Sequence, residues 1–353
     1  MEKIKIGIVG TGNIARHHIK SYLCNPNTEV YAFCDIDEGR LKEAGEEFGI
    51  TRLYTNLDEM LRLTELDALS VCTWNSAHAE CTIKALDAGK HVLCEKPMAT
   101  TLEDAERMKE AAERNGKLLM IGFVRRFGDD MKIIRDYAAN GYFGDIYYAK
   151  ATYLRRNGNP GGWFGDKARS GGGPLIDLGV HVIDFVRCVM GNPHATSVYG
   201  STYQKLFARS NIKTPKGYVS RSATAHDICD VEDLASAMVR FDNGATLQIE
   251  TSFSLNTEKD EGKIHLFGDK AGLCLDGELR FFTEANGYMT DVKVIADASM
   301  HFEKIFQREI DHFADCIRTG AECICPAEDG VELMRILTSV YTSAETGHEV
   351  VLR

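Results

Sequence analysis

The chain has 353 residues, a hydrophobic content of 44% and a formal net charge of −11. That length supports two domains with separate cores, and the acidic balance argues against nucleic acid and against an anionic membrane surface as partners. No apolar run approaches the ~20 residues a membrane helix needs, and Met1-Glu2-Lys3-Ile4-Lys5-Ile6-Gly7 enters a strand pattern at once, without the apolar core and small-residue cleavage site of a signal peptide.

Ile4 to Gly10 reads as a buried strand and Asn13 to Leu23 as a helix. Glu29 to Asp35 is a second strand, Leu41 to Phe48 helical, Arg52 to Thr55 a short strand and Leu57 to Leu63 helical again. Asp67 to Thr73 is a further buried strand, followed by a helix from His78 to Ala88 that stops at Gly89. The strands His91 to Glu95 and Leu118 to Val124 complete the set, with a Glu/Lys-rich helical face at 102–114 between them; that face and His17-His18 read as solvated. Strands alternating with helices imply right-handed crossovers and a parallel, doubly wound sheet. Near Gly144 the pattern changes to a long strand, Ile146 to Arg155, then a glycine-rich loop from Asn157 to Gly173 and an apolar helix from Leu175 to Met190. From Ser197 to about Phe282 strand patterns are joined by hairpin-type turns such as Asp242-Asn243-Gly244, which predicts a mostly antiparallel sheet. Helices return at Phe302 to Arg318 and Gly330 to Ala344. The predicted division is a nucleotide-binding domain at 1–124 and a substrate and oligomerisation domain at 125–353, with the C-terminal helices packing back.

Of the 11 cysteines, none forms a Cys-x-x-Cys pair, which disfavours zinc-ribbon and thioredoxin chemistry. Cys34, Cys72 and Cys94 fall within apolar strand runs, where Cys behaves as a small buried hydrophobe. The odd, scattered set suggests reduced thiols and a cytoplasmic protein, and no ligand cluster points to a metal.

Gly10-Thr11-Gly12-Asn13-Ile14-Ala15 fits the G-x-G-x-x-G/A dinucleotide fingerprint between the first strand and first helix. Gly10 permits the tight turn, Gly12 lets the backbone approach a pyrophosphate, and Asn13 and Ile14 open the helix whose N-terminus faces the phosphate charge. Asp35 ends the second strand, where an acid accepts hydrogen bonds from adenosine ribose hydroxyls and repels a 2′-phosphate; this favours NAD over NADP. Asp37 and Glu38 follow it, so a solvated turn carboxylate is the alternative. Thr73 and Asn75 follow the fourth strand at its ligand-binding end, where Asn75 can meet the nicotinamide ribose. His78 in the same segment is either a helix-start residue or part of the site.

Glu95-Lys96-Pro97 ends the strand beginning at His91. A lysine there can point its ammonium into a cleft at a substrate oxygen, although a lysine at a strand end is often only a surface residue. Arg125 and Arg126 follow the last strand of the first half, facing the cleft or solvent. Arg156, Asn157 and Trp163 flank the glycine-rich loop and offer hydrogen bonds and an aromatic face suited to a sugar. Asp177, His181 and Asp184 stand at i, i+4 and i+7 in an otherwise apolar helix, so one face carries all three. Ionisable groups in such a helix are costly unless paired or functional. A structural His–Asp pair is the alternative, and Asp184 is assigned to orientation or structure.

The Gly10–Ala15 loop, the run Ala88-Gly89-Lys90-His91-Val92-Leu93-Cys94-Glu95-Lys96-Pro97, and Gly172-Gly173-Pro174-Leu175-Ile176-Asp177-Leu178-Gly179-Val180-His181 together resemble the Gfo/Idh/MocA (glucose–fructose oxidoreductase / inositol dehydrogenase) family. The resemblance runs to Ser343-Ala344-Glu345-Thr346-Gly347; Trp74 departs from the proline often found in the family's Thr-Pro-Asn segment. It implies a Rossmann domain followed by an α/β domain with a large open sheet that often mediates homodimers or homotetramers. In that sheet the alternate apolar residues of Ala235 to Phe241 and Ala245 to Glu250 are the expected face for a partner. The resemblance also implies that Lys96, Asp177 and His181 form the catalytic set, with Glu95 and Lys96 beside the cofactor. The expected activity is hydride transfer between NAD and a secondary alcohol of a sugar or cyclic polyol, with His181 as general base, Lys96 stabilising the substrate oxygen and Asp177 holding a hydroxyl. Two other readings share this sequence: a sensor that binds cofactor and sugar without turnover, and an enzyme that recycles NAD during elimination or glycoside cleavage.

Overall fold

The computed structural model describes residues 2–207, 209, 212–213 and 217–352; Met1, at the start of the N-terminal strand pattern, lies outside the described residues, as do 208, 210–211 and 214–216 in the predicted antiparallel region and Arg353. Contacts divide the chain into two compact units, Met1–Phe127 with His301–Met334, and Gly128–Met300 with Arg335–Arg353.

The first unit alternates β1 (Ile4–Val9), α1 (Asn13–Cys24), β2 (Thr28–Cys34), α2 (Glu38–Phe48), β3 (Leu53–Tyr54), α3 (Leu57–Leu61), β4 (Ala68–Val71), α4 (His78–Asp87), β5 (His91–Glu95), α5 (Leu102–Asn115) and β6 (Leu119–Gly122). The sheet order is β3-β2-β1-β4-β5-β6, and its five strand pairs are parallel. This is the doubly wound order whose ligand crevice opens at the carboxyl ends of β1 and β4, where the chain reverses direction across the sheet. Ile6, Ile8, Leu69, Val71, Val92 and Leu93 are fully buried, as strands covered on both faces require. Each such side chain contributes roughly 1.5–3 kcal/mol of burial. Cys34, Cys72 and Cys94 are buried here too, and burial pushes the Cys34 thiol up to about 12.

The second unit begins with α6 (Asp129–Ala139), a helix in the region where the sequence pattern places only the domain boundary. Then come β7 (Ile146–Leu154), α7 (Lys167–Ser170), α8 (Val180–Val189), β8 (Ala195–Tyr203), β9 (Leu234–Phe241), β10 (Thr246–Ser252), β11 (Glu261–Gly268), β12 (Ala271–Leu275), β13 (Leu279–Ala285) and β14 (Tyr288–Lys293). The sheet order is β14-β13-β12-β11-β7-β10-β9-β8-β15, with β15 (Val350–Val351) at the edge. Among the described residues only β7 and β10 pair in parallel, so the expected mostly antiparallel sheet is present. The Asp242-Asn243-Gly244 turn joins β9 to β10, with Gly244 at φ +85°.

The remaining helices are α9 (Phe302–Thr319) and α10 (Ala327–Thr346), the latter beginning in the first unit and ending in the second. Helix α9 lies on α1: His17 stacks on Phe306 with ring centroids 4.9 Å apart, and Asn25 donates to Asp311 at 2.7 Å. Its buried stripe is Ile305, Phe306, Glu309, Ile310, Phe313, Ala314 and Cys316, apolar except at Glu309.

Candidate active site

In the first unit, Gly10 turns the chain out of β1 at φ +83°. A Cβ there would lie 2.7 Å from the Cys72 carbonyl oxygen, so both backbone angle and space demand glycine. Gly12 caps α1 at its N-terminus, and a Cβ on it would meet nothing within 4 Å. The backbone amides of a helix start therefore border open space, an arrangement that accepts an anion. Ala15 is fully buried against the sheet, as the fingerprint requires.

Asp35 directly follows β2 and is tied to the loop by Thr11, whose role residue type and spacing do not signal. Asp35 Oδ2 accepts hydrogen bonds from the Thr11 backbone N–H (2.7 Å) and hydroxyl (2.9 Å), and its Oδ1 accepts from Asp37 N–H (2.9 Å). Arg16 ties the same loop from helix α1, donating to the Thr11 carbonyl at 2.9 Å and pairing with Glu43 and Glu47. Arg40, the cation nearest in sequence, is engaged by Asp37 through Nε and Nη2.

Thr73 and Asn75 follow β4, with Asn75 buried in a short 3-10 turn, Asn75–Ala77. His78 is 1% exposed, and its ring nitrogens face the Pro97 carbonyl at 2.8 Å and the Thr73 carbonyl at 3.2 Å. It braces the segment after β4 against the segment after β5, and burial lowers its pKa. A ring facing two carbonyls in this way is a scaffold element.

Lys96 is half-buried at the end of β5, and its backbone N–H donates to Glu95 Oε2 at 3.1 Å. Glu95 points inward: its Oε1 lies 2.8 Å from His18 Nε2, and His18 Nδ1 lies 3.2 Å from the Ser70 hydroxyl. His18 is fully buried, which corrects its assignment to an ordinary solvated face. Arg125 is half-buried in the 3-10 turn after β6. Arg126 is 4% exposed and donates to the Ile324 carbonyl (2.6 Å) and Asp329 (2.7 Å). The buried ion pair makes Arg126 a structural residue, not one facing a cleft.

In the second unit, the expected single helix from Leu175 to Met190 is two kinds of helix. Leu175–Gly179 is a π-helical turn and Val180–Val189 is α-helical. Asp177 sits in the π turn, His181 in the first α turn, and Asp184 is 1% exposed below them. The wider π turn changes the angular offset between Asp177 and His181 from the one a 3.6-residue period gives. Such turns recur at functional sites.

Glu232, missed from the sequence, organises the entry to this turn. Its Oε2 accepts from Gly173 N–H at 2.9 Å, and its Oε1 from Leu175 N–H at 3.1 Å and the Tyr341 hydroxyl at 2.9 Å. Burial works to raise the Glu232 carboxyl, and these hydrogen bonds only partly offset it. Gly172 and Gly173 are required by the close approach: a Cβ on Gly172 would lie 2.1 Å from the Tyr341 hydroxyl, and one on Gly173 2.4 Å from the Glu232 carbonyl oxygen.

Arg156 and Asn157 line a cavity of about 710 Å³ together with Lys205, Leu206, Arg209 and Asn256. Trp163 stacks on Phe164, with centroids 4.0 Å apart, in the 3-10 turn Gly162–Gly165.

These residues fall into two sets. Gly10, Gly12, Asn13, Ile14, Asp35, Thr73, Asn75, His78, Glu95, Lys96 and Arg125 belong to the first unit, and Arg156, Asn157, Trp163, Asp177 and His181 to the second. A dinucleotide fits the first set: an obligate glycine turn, a helix N-terminus bordering open space, and a carboxylate fixed beside the loop.

Comparison with known proteins identifies the chain's kind. The oxidoreductase family's NAD-binding Rossmann fold matches residues 4–123, and the same family's C-terminal alpha/beta domain matches residues 136–352. D-glucoside 3-dehydrogenase of Escherichia coli (strain K12) is 35% identical over 354 residues, covering 99% of this chain and 97% of that protein. Myo-inositol 2-dehydrogenase of Thermotoga maritima is 28% identical over 273 residues, 77% of this chain and 75% of that protein. An oxidoreductase domain protein from Kribbella flavida has the same fold, with a TM-score of 0.87 at 24% identity over the whole of both chains. The full-length identity and the two matched domains make this chain a member of the Gfo/Idh/MocA family of NAD-dependent sugar and polyol dehydrogenases.

Proposed function

We propose that the chain oxidises a secondary alcohol of a sugar or cyclic polyol, with a glucoside as the first substrate to test. The observation that carries the reading is the chemistry held at two helix and strand ends: Lys96 after β5, and Asp177 and His181 across the π-to-α junction. The 35% identity to a D-glucoside 3-dehydrogenase along the whole chain supports the substrate class.

NAD, when bound, supplies the hydride acceptor. Gly10, Gly12, Asn13 and Ile14 would hold its pyrophosphate, Asp35 its adenosine ribose, and Thr73, Asn75 and the Glu95-Lys96 segment its nicotinamide half. His181 acts as general base and takes the hydroxyl proton, a role it fills in its neutral form. Lys96 donates a hydrogen bond to the substrate oxygen as negative charge develops there. Asp177 accepts from a neighbouring hydroxyl and fixes which carbon reacts. Arg125, Arg156, Asn157 and Trp163 supply recognition.

The test is a panel of glucosides, hexoses, inositols, sugar acids and anhydrosugars with NAD, followed by NADH absorbance. Turnover with one class establishes the reading. Product without accumulating NADH replaces it with a recycled-cofactor reaction, and NAD binding without any product replaces it with a sensor.

A further inference from the structure

We propose that the cavity of the second unit is an oxyanion subsite: it takes the carboxylate or phosphate of an acidic sugar, so the alcohol this chain oxidises sits on an anionic sugar derivative. The inference rests on the dehydrogenase reading given above and narrows its substrate. Three of the lining side chains, Arg156, Lys205 and Arg209, are cations, and no acid is among the described residues that line the space. Its volume of about 710 Å³ falls within the roughly 300–1,000 Å³ of small-molecule sites. The chain's formal net charge is −11, yet from Ser201 to His226 it carries Lys205, Arg209, Lys213, Lys216 and Arg221 and no aspartate or glutamate. A basic stretch is ordinarily a solvated face. Here part of it forms a cavity wall instead.

The walls hold two of the cations in place. Arg209 donates through Nη1 to the Arg156 carbonyl at 2.9 Å and through Nη2 to the Asn256 side-chain oxygen. Arg156 Nη1 donates to the Glu258 carbonyl at 3.2 Å. These bonds use a minority of the N–H donors that each guanidinium carries. Asp260 meets Arg156 only at its backbone N–H, at 2.7 Å. Among the described residues, neither guanidinium nor the Lys205 ammonium forms an ion pair with a carboxylate. Like charges lining one space repel each other, and an oxyanion relieves that repulsion through charge-assisted hydrogen bonds. Guanidiniums fixed beforehand lower the ordering cost of binding it. Leu206 and Ile212 add apolar wall suited to the carbon face of a sugar ring.

The cavity is tied to the turn that carries Asp177. Glu232 caps Gly173 and Leu175 at the start of that turn. The next residue, Asp233, is 4% exposed, and its carboxylate accepts from the backbone N–H groups of Lys205 and Leu206. Phe253 N–H donates to the Asp233 carbonyl at 2.9 Å, Gly158 N–H donates to the Phe253 carbonyl at 2.7 Å, and Asn157 bridges to Ser254. Two consecutive residues thus anchor both the turn and the cavity walls at 157 and 205–206. An anionic substituent held by those walls fixes one end of the sugar relative to Asp177.

Calorimetry on the full chain with NAD present tests this. The probes are D-glucose, D-glucuronate, glucose phosphorylated at either end of the ring, and inorganic phosphate alone. The proteins are wild type, K205Q, R156Q and K213Q; Lys205 and Arg156 are exposed, and Lys213 belongs to the basic stretch without lining the cavity. Arg209 is left intact because it also holds the wall together. At least one acidic sugar is expected to bind wild type ~10-fold more tightly than glucose, with a gap that narrows at high salt. The gap shrinks several-fold in K205Q and R156Q and persists in K213Q. Tighter glucuronate assigns a carboxylate to the cavity, and a tighter phosphate ester assigns a phosphate. Equal affinity for charged and neutral sugars overturns the proposal; if inorganic phosphate binds all the same, the cavity serves a free anion. A gap that survives in both K205Q and R156Q also overturns it, because the charge is then read elsewhere. NADH absorbance on the same sugars separates the two readings. A gap without turnover keeps the subsite and sinks the dehydrogenase, whereas turnover of glucose without a gap does the reverse.

Discussion

Asp35 meets its own neighbours before it meets a ligand: Thr11 and Asp37 together place three donors on its two oxygens. The carboxylate is thereby fixed beside the glycine turn, and Arg40 is held by Asp37; the expected consequence is repulsion of a 2′-phosphate. Asp35→Ser is expected to weaken NAD binding by ~10-fold, the effect of about 1.4 kcal/mol, and to narrow or reverse the preference over NADP. Equal titration curves for the two cofactors in the wild-type protein would refute this. Lys96→Ala and His181→Ala should each lower turnover by about 10²–10⁴ while NAD affinity stays largely intact, because neither belongs to the pyrophosphate loop. Steady-state kinetics on the active substrate, paired with NAD titration, checks both; near-full turnover in either mutant removes that residue from the mechanism. The tight turn at Gly10 and the places of Asp35 and Lys96 at strand ends were legible from residue type and spacing. Thr11 and His18 were not, because their roles come from partners 24 and 77 positions away, which periodicity does not connect.

At the scale of elements, the helix carrying Asp177 and His181 shows what a period alone misses. The apolar run correctly predicted a buried helix, but a π turn leaves the same i, i+4 lettering as an α turn. The local hints are Gly179 at the junction, where a Cβ would sit 3.1 Å from Leu175 Cδ1, and the glycines before Pro174. What holds the turn is Glu232, which arrives from the segment before β9 and caps two N–H groups at its start. Glu232→Ala should leave those two N–H groups and the Tyr341 hydroxyl unsatisfied in a buried site. At about 1–3 kcal/mol for each such group, chemical denaturation should show a loss of at least ~2 kcal/mol. Turnover should fall with it. Denaturation midpoints matching wild type would show that the turn does not depend on Glu232.

At the scale of the whole molecule, the nine-stranded sheet of the second unit presents two different faces. Ala235, Ala237, Val239 and Phe241, with Ala245, Leu247 and Ile249, form the apolar face that the sequence pattern offers to a partner, yet all are buried within this chain. The opposite positions carry Tyr199 and Met238, paired across β8 and β9 and 52% and 45% exposed, beside Arg240, Gln248 and Glu250. A homodimer or homotetramer built on this mixed face is the expected state. Light scattering at micromolar concentration should show it, and Tyr199→Glu with Met238→Glu should shift it toward monomer; a wild-type monomer would refute the expectation. The sequence by itself determined the alternation of strands and helices, the dinucleotide loop and the lysine after β5. These follow from local periodicity and from glycine's freedom at one turn. The tertiary structure alone decided which face of the large sheet is covered, that His78 and Arg126 are braces, and that Glu232 caps the start of the π turn. Burial and hydrogen-bond satisfaction are properties of residues brought together from distant positions, and no local pattern in the chain encodes them.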